Sequence, residues 1–447
     1  MTPSVTEQLV ESVRATVTAE RLDPRANRER IAQLAGDAVE RYRRESAMGA
    51  GVPLTNAERV VERIVSSVCG HGAIESLFTA GGVEDIFMEG DRVTYFQDGR
   101  LRGLVEPTSE AENLHVVTQL LAHTDASLDR AHPTVDGVQV LDGKARLTAA
   151  IPPASPHLSA DIRLYVNRFA TLPQLVENDT LNGPAADLLT LDVWAKGSIL
   201  ICGETGSGKS TLLAAVLAVA RENHCVRLCE ESIELQFRPT HGGRYQGIAP
   251  GPDGRGGRSL KDLIKLMLRM RPDIIAVGEV RAEESWELAR ASRVGAGFLA
   301  TIHANSAEDG LEALVLTALG AGPNITEDLV RRAFARSIDL VVHMERDDPN
   351  LVAEEASYLH QVTEIRAVVP QIGKEFSSEM IFERKDGLGS PLTWTGKLPP
   401  TTLVQRLERL LPKGTTLRDV LLGRAAIQWG SWRPSPPGYR SSCSWPT

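Results

Sequence analysis

The sequence predicts an α/β protein: a phosphate-loop domain on a mostly parallel sheet, preceded by a smaller α+β domain and by N-terminal helices. Three observations carry this expectation. Short apolar runs at 199–202, 226–229, 274–277, 298–302 and 340–342 alternate with stretches of helical periodicity, the pattern of a parallel sheet covered on both faces. A complete GxxxxGK[ST] run, Gly203-Glu204-Thr205-Gly206-Ser207-Gly208-Lys209-Ser210, follows the first of these and opens a helical stretch at 211–220. Upstream of residue 178 the texture differs, with brief alternating runs and hairpin turns.

In chain order, the helices come first. Between 28 and 44, Ile31, Leu34, Ala35, Ala38, Val39 and Tyr42 recur at helical spacing, with Arg and Glu on the other face. Residues 1–54 therefore form a helical segment. The α+β domain is expected over 55–178, with strands at Val83-Glu84-Asp85-Ile86-Phe87-Met88 and Arg92-Val93-Thr94-Tyr95-Phe96 and a hairpin turn at Asp98-Gly99. Further strands fall at 138–140, 145–149 and 161–169. The segment 176–184, VENDTLNGP, gathers turn and breaker residues and reads as a linker. The phosphate-loop domain then covers 179–428, with strand-like alternation returning at 362–384 and a helix at 402–411. Residues 429–447, rich in Pro and Ser and holding Trp432 and Trp445, read as a disordered tail.

Composition narrows the functional classes. With 447 residues, 42% hydrophobic and 24% charged, the chain has material for two or three cores. A net charge of −9 argues against a protein that coats nucleic acid, because such proteins carry a basic surplus that displaces counterions from phosphates. The start, MTPSVTEQLVE, lacks the basic and apolar segments of a secretory signal. No run approaches the ~18 apolar residues of a membrane span, so a cytoplasmic location is expected, with membrane contact only through partners. The five cysteines, Cys69, Cys202, Cys225, Cys229 and Cys443, are odd in number and scattered, which fits a reducing compartment. Cys225 and Cys229 lack a second pair for a zinc site and read as buried small hydrophobes.

The phosphate loop carries the clearest chemistry. Its glycines let backbone amides close around phosphates while the following helix directs its positive end at them. Lys209 is expected to bridge the β- and γ-phosphates of ATP, and the Ser210 hydroxyl to hold Mg²⁺. Gly203 to Ser210 with Thr211 make up the expected nucleotide-binding set. In Arg271-Pro272-Asp273-Ile274-Ile275-Ala276-Val277-Gly278-Glu279-Val280-Arg281, an apolar strand ends at a carboxylate. Glu279 is thereby set beside a γ-phosphate, where it can polarise the attacking water. Gly278 replaces the aspartate that often precedes such a glutamate, and Asp273 has a structural place. Two weaker signals gain meaning in company: Cys229-Glu230-Glu231-Ser232-Ile233-Glu234 and Ala300-Thr301-Ile302-His303 also end predicted strands. Parallel sheets bind ligands at their C-terminal strand ends, so the loop, Glu230, Glu279 and His303 point to one crevice.

In that order, GETGSGKST, CEESIEL, LRMRPDIIAVGEVR and LATIHANS resemble the phosphate loop, Asp box, Walker B and His box of the secretion ATPase superfamily of type II and type IV secretion and pilus assembly. The motifs cover about 198–310, and weaker likeness at Gly72 to Leu77, Val83 to Ile86, Ile151-Pro152-Pro153 and Ile162-Arg163 extends it back to about residue 70. LRMRPD and the absence of a tetracysteine insertion favour the Tad/Flp and type IV secretion branch over type II secretion. The resemblance implies a RecA-like ATPase domain in a homohexamer, Mg-ATP between the domains, and peripheral attachment to inner-membrane platform proteins on the cytoplasmic face. Glu230 matches the Asp-box glutamate, and Glu230 and Glu279 would meet the metal through water. Glu231 stands where the family has Asp, and Gly295-Ala296-Gly297 replaces its Gly-His-Asp-Gly.

Transition-state phosphates spread negative charge that a guanidinium clamps well. Arg163 and Arg168 from the first domain and Arg269 and Arg271 beside the Walker-B strand are the candidates. The glycine-rich stretch 241–258, with Arg244, Arg255 and Arg258, reads as a mobile loop. Two other functions compete: a DNA-handling RecA-like ATPase or conjugative DNA-transfer motor, and a non-hydrolysing scaffold. Acidic composition and the lack of a basic, aromatic stripe count against direct nucleic-acid contact. Intact Lys209, Glu279 and His303 count against the scaffold.

Overall fold

The computed structural model describes residues 5–24, 26–49, 52–54, 56–165, 170–235, 237–248, 256–347, 359–371 and 375–427. The chain divides into two compact units, Met1–Val166 and Asn167–Thr447. The expected tail at 429–447, Cys443 and Arg168 lie outside the described residues.

Unit 1 begins with helices α1 (Val5–Ala19), α2 (Arg28–Ala47) and α3 (Ala57–Cys69). Their apolar stripes meet at Val13, Ile31, Ala35, Val39 and Ile64, all buried, as the 3.6-residue period requires. An antiparallel sheet follows, built from β1 (Val83–Glu89), β2 (Arg92–Gln97), β3 (Arg100–Gly103), β4 (Thr134–Val140), β5 (Ala145–Ala150) and β6 (Ser159–Leu164) in the order β3-β2-β1-β6-β5-β4. Asp98 and Gly99 take φ of 51° and 76°, the left-handed pair that a two-residue hairpin between twisted strands demands. Helix α4 (Glu110–Leu121) packs Val116, Val117 and Leu120 into the core of this sheet.

Unit 2 opens with α5 (Leu172–Glu177) and α6 (Gly183–Trp194), then β7 (Ile199–Gly203), α7 (Lys209–Ala218), β8 (Val226–Glu230), β9 (Gly242–Gln246) and α8 (Leu260–Leu268). It continues through β10 (Ile274–Val277), α9 (Glu284–Ala291), β11 (Gly297–His303), α10 (Ala307–Leu319), α11 (Glu327–Ser337) and β12 (Leu340–Arg346). It closes with β13 (His360–Val369), β14 (Ser377–Glu383), β15 (Thr393–Trp394), α12 (Thr401–Glu408) and α13 (Leu417–Leu421). The sheet order is β15-β14-β13-β12-β7-β11-β10-β8-β9. From β12 through β9 neighbours are parallel, and from β12 to β15 they are antiparallel, so the sheet is mixed. Both faces are covered. Ile199 and Ile201 point into a core shared with α6, α7 and α12, while Leu200 and Cys202 point into one shared with α8 to α11. A strand buried on both sides reads as a continuous apolar run, which is why these strands were visible as such.

The glycine-rich stretch departs from the expected mobile loop. Residues 242–246 form β9, paired in parallel with β8 at the sheet edge, and 249–255 lie outside the described residues. No apolar run announces this edge strand, which is held by backbone pairing and by the polar contacts of Arg244 and Tyr245. Gly242 is required there: at φ 134° its Cβ would lie 1.8 Å from the Val226 carbonyl oxygen. Residues 176–184 are likewise built into unit 2. Asn178 ends α5 and the Asn182 side chain caps α6, Leu181 is fully buried, and Arg384 donates to the Asp179 carbonyl at 2.6 Å. The breaker residues there are helix caps.

Candidate active site

The parallel strands bring their C-terminal ends to one edge of the unit 2 sheet. Gly203 ends β7 and sits in register with His303 of β11 on one side and Met344 of β12 on the other. Backbone approaches so closely that a Cβ on Gly203 would lie 2.2 Å from the Met344 carbonyl oxygen. Gly206 and Gly208 take φ of 78° and 94°, the left-handed turns that fold the loop back onto the start of α7. Glu204, Thr205, Gly206 and Ser210 are exposed, while Ser207 is fully buried beneath them. Thr211 is partly buried in the first turn of α7.

Lys209, only 7% exposed, turns into the loop and donates to the carbonyl oxygens of Gly203 at 2.9 Å and Glu204 at 2.6 Å. Burial lowers its pKa to about 8, against the opposing pull of the Glu279 charge. Its Nζ lies 3.3 Å from His303 Nδ1, and His303 Nε2 lies 2.8 Å from Glu279 Oε1. The ammonium donates to Nδ1, whereas Nε2 approaches the carboxylate without hydrogen-bond geometry, so the ring is held by one hydrogen bond and one close charge contact. Lys209, His303 and Glu279, singled out in sequence, thus form one line of contact.

Glu279 follows β10, whose end is tied to β11 by Val280 N donating to Thr301 O at 2.8 Å and Thr301 Oγ1 donating to Gly278 O at 2.5 Å. Burial alone would raise the Glu279 carboxyl. The Arg281 hydrogen bond and the charges of Arg281, His303 and Lys209 outweigh it and hold the group below the usual carboxylate range. Arg281 Nη2 donates to Glu279 Oε2 at 2.7 Å, and its Nη1 lies 3.6 Å from Glu231 Oε2. Glu230 is committed differently. Its Oε1 accepts from the amides of Glu234 and Leu235 at 3.0 and 2.8 Å, and its Oε2 accepts from Arg244 at 2.7 Å. Its stem packs beneath Gly278, where a Cβ would lie 2.9 Å from Glu230 Cγ. That contact explains the glycine before Glu279: an aspartate would have no room.

Within unit 2, the candidate arginines are not gathered here. Arg269 and Arg271 are exposed at the N-terminal end of β10, opposite the Glu279 end. Arg163 lies in unit 1 on β6, donating to Asp85 at 2.7 Å. Asp273, at the same end as Arg271, accepts from Cys225 N at 2.8 Å and pairs with Lys196. Two arginines at the loop escaped sequence reasoning. Arg281 stands two residues beyond Glu279, which is a usable signal. Arg346, whose guanidinium would lie 2.6 Å from a Cβ on Gly206, arrives from a distant strand and gives none. Among the described residues no His, Cys, Asp and Glu cluster could hold a metal ion by itself.

Residues 54–354 match the family described as Type II/IV secretion system protein. A Mycobacterium tuberculosis protein named for conjugal transfer is 30% identical over 291 residues, 63% of this chain and 82% of its own. The type IV secretion system protein VirB11 of Bartonella quintana is 29% identical over 202 residues, 43% of this chain and 56% of its own. Among solved structures, the pilus retraction motor PilT with bound ADP aligns over 79% of this chain and 93% of its own, at 20% identity and a TM-score of 0.46.

Proposed function

Because the chain belongs to the type II/IV secretion system protein family, we propose that it is the ATP-hydrolysing subunit of a RecA-like, homohexameric motor for Tad/Flp pilus assembly or type IV secretion. The observation that carries this reading is the contact line from Lys209 through His303 to Glu279 at the mouth of a phosphate loop. The loop fits a phosphate chain. Gly206 and Gly208 hold left-handed turns, α7 presents its free N-terminal amides, and a buried ammonium rests on carbonyls that anionic oxygens can replace. Each residue then has a task. Lys209 moves its charge from the Gly203 and Glu204 carbonyls to the phosphates. Glu279, kept ionised by its neighbours, orients the attacking water. His303 fixes the Glu279 carboxylate and faces the terminal phosphate. Ser210, exposed in the first turn of α7, would hold Mg²⁺, which when bound supplies charge to the phosphate oxygens. Glu230, its oxygens already taken by two amides and Arg244, braces the pocket beneath Gly278.

A motor of this kind works at the inner face of the cell membrane through inner-membrane platform proteins. Among the described residues no helix is long and apolar enough to cross a membrane. The LRMRPD sequence before β10 favours the Tad/Flp and type IV branch. A conjugative DNA-transfer machine is the second reading, favoured by the name of the mycobacterial relative; salt-sensitive binding of single-stranded DNA would select it. Phosphate release tests the central claim. Lys209→Ala should lose nucleotide affinity and turnover together, whereas Glu279→Gln should bind ATP and fail to hydrolyse it. Hydrolysis by Glu279→Gln at the parent rate would remove Glu279 from the chemistry.

A further inference from the structure

The groups assigned to hydrolysis all lie to one side of β7. His303 ends β11 and Glu279 follows β10, and both strands precede β7 in the order β10-β11-β7-β12-β13 read from that edge. The other side of the loop is lined by the base of the β12–β13 hairpin, where Arg346 and His360 face each other in register. Asp347 N donates to Leu359 O at 3.1 Å, and Leu359 N donates to Asp347 Oδ2 at 3.0 Å, which fixes that base. Both residues press on the loop glycines. The Arg346 Nη1 and Cζ would lie 2.6 and 3.2 Å from a Cβ on Gly206, and the His360 Cβ would lie 3.7 Å from one on Gly208. Among the described residues no carboxylate pairs with the Arg346 guanidinium. A second cation is therefore held beside Lys209 at a loop whose own acidic neighbour, Glu279, is already engaged by Arg281 and His303.

Two cations held at one loop favour an anion between them. Position decides which part of the anion. If the reacting phosphate sits among Lys209, His303 and Glu279, the rest of the nucleotide extends across β7 toward β12 and β13. Two strand spacings offer roughly 10 Å there. We infer that the base of the β12–β13 hairpin is the subsite for the non-reacting end of the nucleotide, with Arg346 contacting its inner phosphates and His360 flanking the ribose side. This rests on the nucleotide-binding reading above and extends it to residues outside the four motifs. Because ATP and ADP share that end, Arg346 binds ground state and transition state alike and so contributes affinity with little effect on rate.

The test compares Arg346→Ala and Arg346→Gln with the parent in titrations with fluorescent ATP and ADP analogues and in steady-state hydrolysis. A charge-assisted hydrogen bond to phosphate predicts that Kd for both nucleotides rises about tenfold to a hundredfold, and by the same factor. KM should follow Kd, while turnover at saturating ATP changes less than about threefold. Arg346→Gln carries the test if the alanine variant fails to fold. Unchanged Kd for both nucleotides would make Arg346 a packing residue. A loss confined to ATP, or a fall in kcat at constant KM, would move it to the reacting phosphate. Either result overturns the inference. A parent protein that binds neither nucleotide would instead refute the ATPase reading itself.

Discussion

Replacing Gly278 by alanine would put a methyl carbon 2.9 Å from Glu230 Cγ, well inside the 3.4 Å at which ordinary contact begins. The backbone at Gly278 is not in the left-handed region, so any cost is steric and not conformational. Glu230 is 4% exposed and cannot swing away cheaply, because its carboxylate is pinned by Glu234 N, Leu235 N and Arg244. A retreat of about half an ångström stretches at least one of those bonds. Overpacking of this kind costs about 1–3 kcal/mol, and losing a hydrogen bond to a charged group about 1.5–3 kcal/mol. Since the side chain relieves one strain at the expense of the other, the larger sets the scale, and Gly278→Ala should lose about 2–3 kcal/mol. Gly278→Asp should lose more, since it adds a second carboxylate to a buried one. The assay is urea unfolding at constant m, read as a shift in midpoint. Glu230→Ala removes the obstructing Cγ, so in that background Gly278→Ala should cost almost nothing, a coupling that a double-mutant cycle measures. Equal costs in both backgrounds, or a loss below about 0.5 kcal/mol in the parent, would refute the steric account.

Three further outcomes are expected. Lys209 titrates near pH 8 in the free protein because it is buried, whereas phosphate binding favours its charged form. ATP affinity should therefore fall about tenfold between pH 7 and pH 9 with proton uptake on binding, and a flat calorimetric profile would contradict this. Asp192 is fully buried, and its pKa is raised by burial and by the charge of Asp339, with Arg406 bridging the two carboxylates at 3.2 and 2.5 Å. A raised carboxylate contributes its stability below its unfolded pKa and loses it as pH rises. Because the guanidinium is partly open to solvent, Arg406→Ala should cost about 1–3 kcal/mol at neutral pH and less near pH 4, measured by urea midpoints; a loss independent of pH would leave only packing. Finally, if an arginine acts across the subunit interface, mixing an inactive variant of Arg163, Arg168, Arg269 or Arg271 with inactive Lys209→Ala should restore hydrolysis once subunits exchange. No recovery from any pair, despite proven exchange, would remove the shared site.

Much of unit 2 is legible in the sequence because its central strands are apolar on both faces. Ile199, Ile201, Ile274, Leu299 and Val342 are wholly buried, and short apolar runs bounded by turn residues fit strands covered on both faces. The line from Lys209 to Glu279 is legible for a related reason: each member sits at or just beyond the end of such a run, and parallel pairing brings those ends together. What stayed hidden depends on contacts between segments far apart in the chain. The Asp179 to Arg384 bonds turn an apparent linker into a packed edge. Strand β9 is held by backbone pairing and by the polar contacts of Arg244 and Tyr245, which leave no apolar run in the sequence. Arg346 reaches Gly206 across 140 residues of chain, and Gly278 is explained only by the Glu230 stem beneath it. The rise of antiparallel strands at β13 and β14 was visible as alternation, but their joining to the parallel strands through β12 was not.

The placement of β7 has a mechanical consequence. Its end, Gly203, is flanked by β11 and β12, each joined to β7 over five residue pairs of parallel ladder. A pull on the loop along the strand axis would have to shear both ladders at once, since their bonds lie across the direction of load. Strands peeled sideways break one bond at a time, whereas sheared strands resist with all of them together. Gly203 and Ser207 are buried at the feet of the loop, and the crest at 204–206 between them is open. Displacement under force should therefore be taken up at the crest and passed into α7, leaving the foot of the loop as the fixed end against which the remainder of the unit can work.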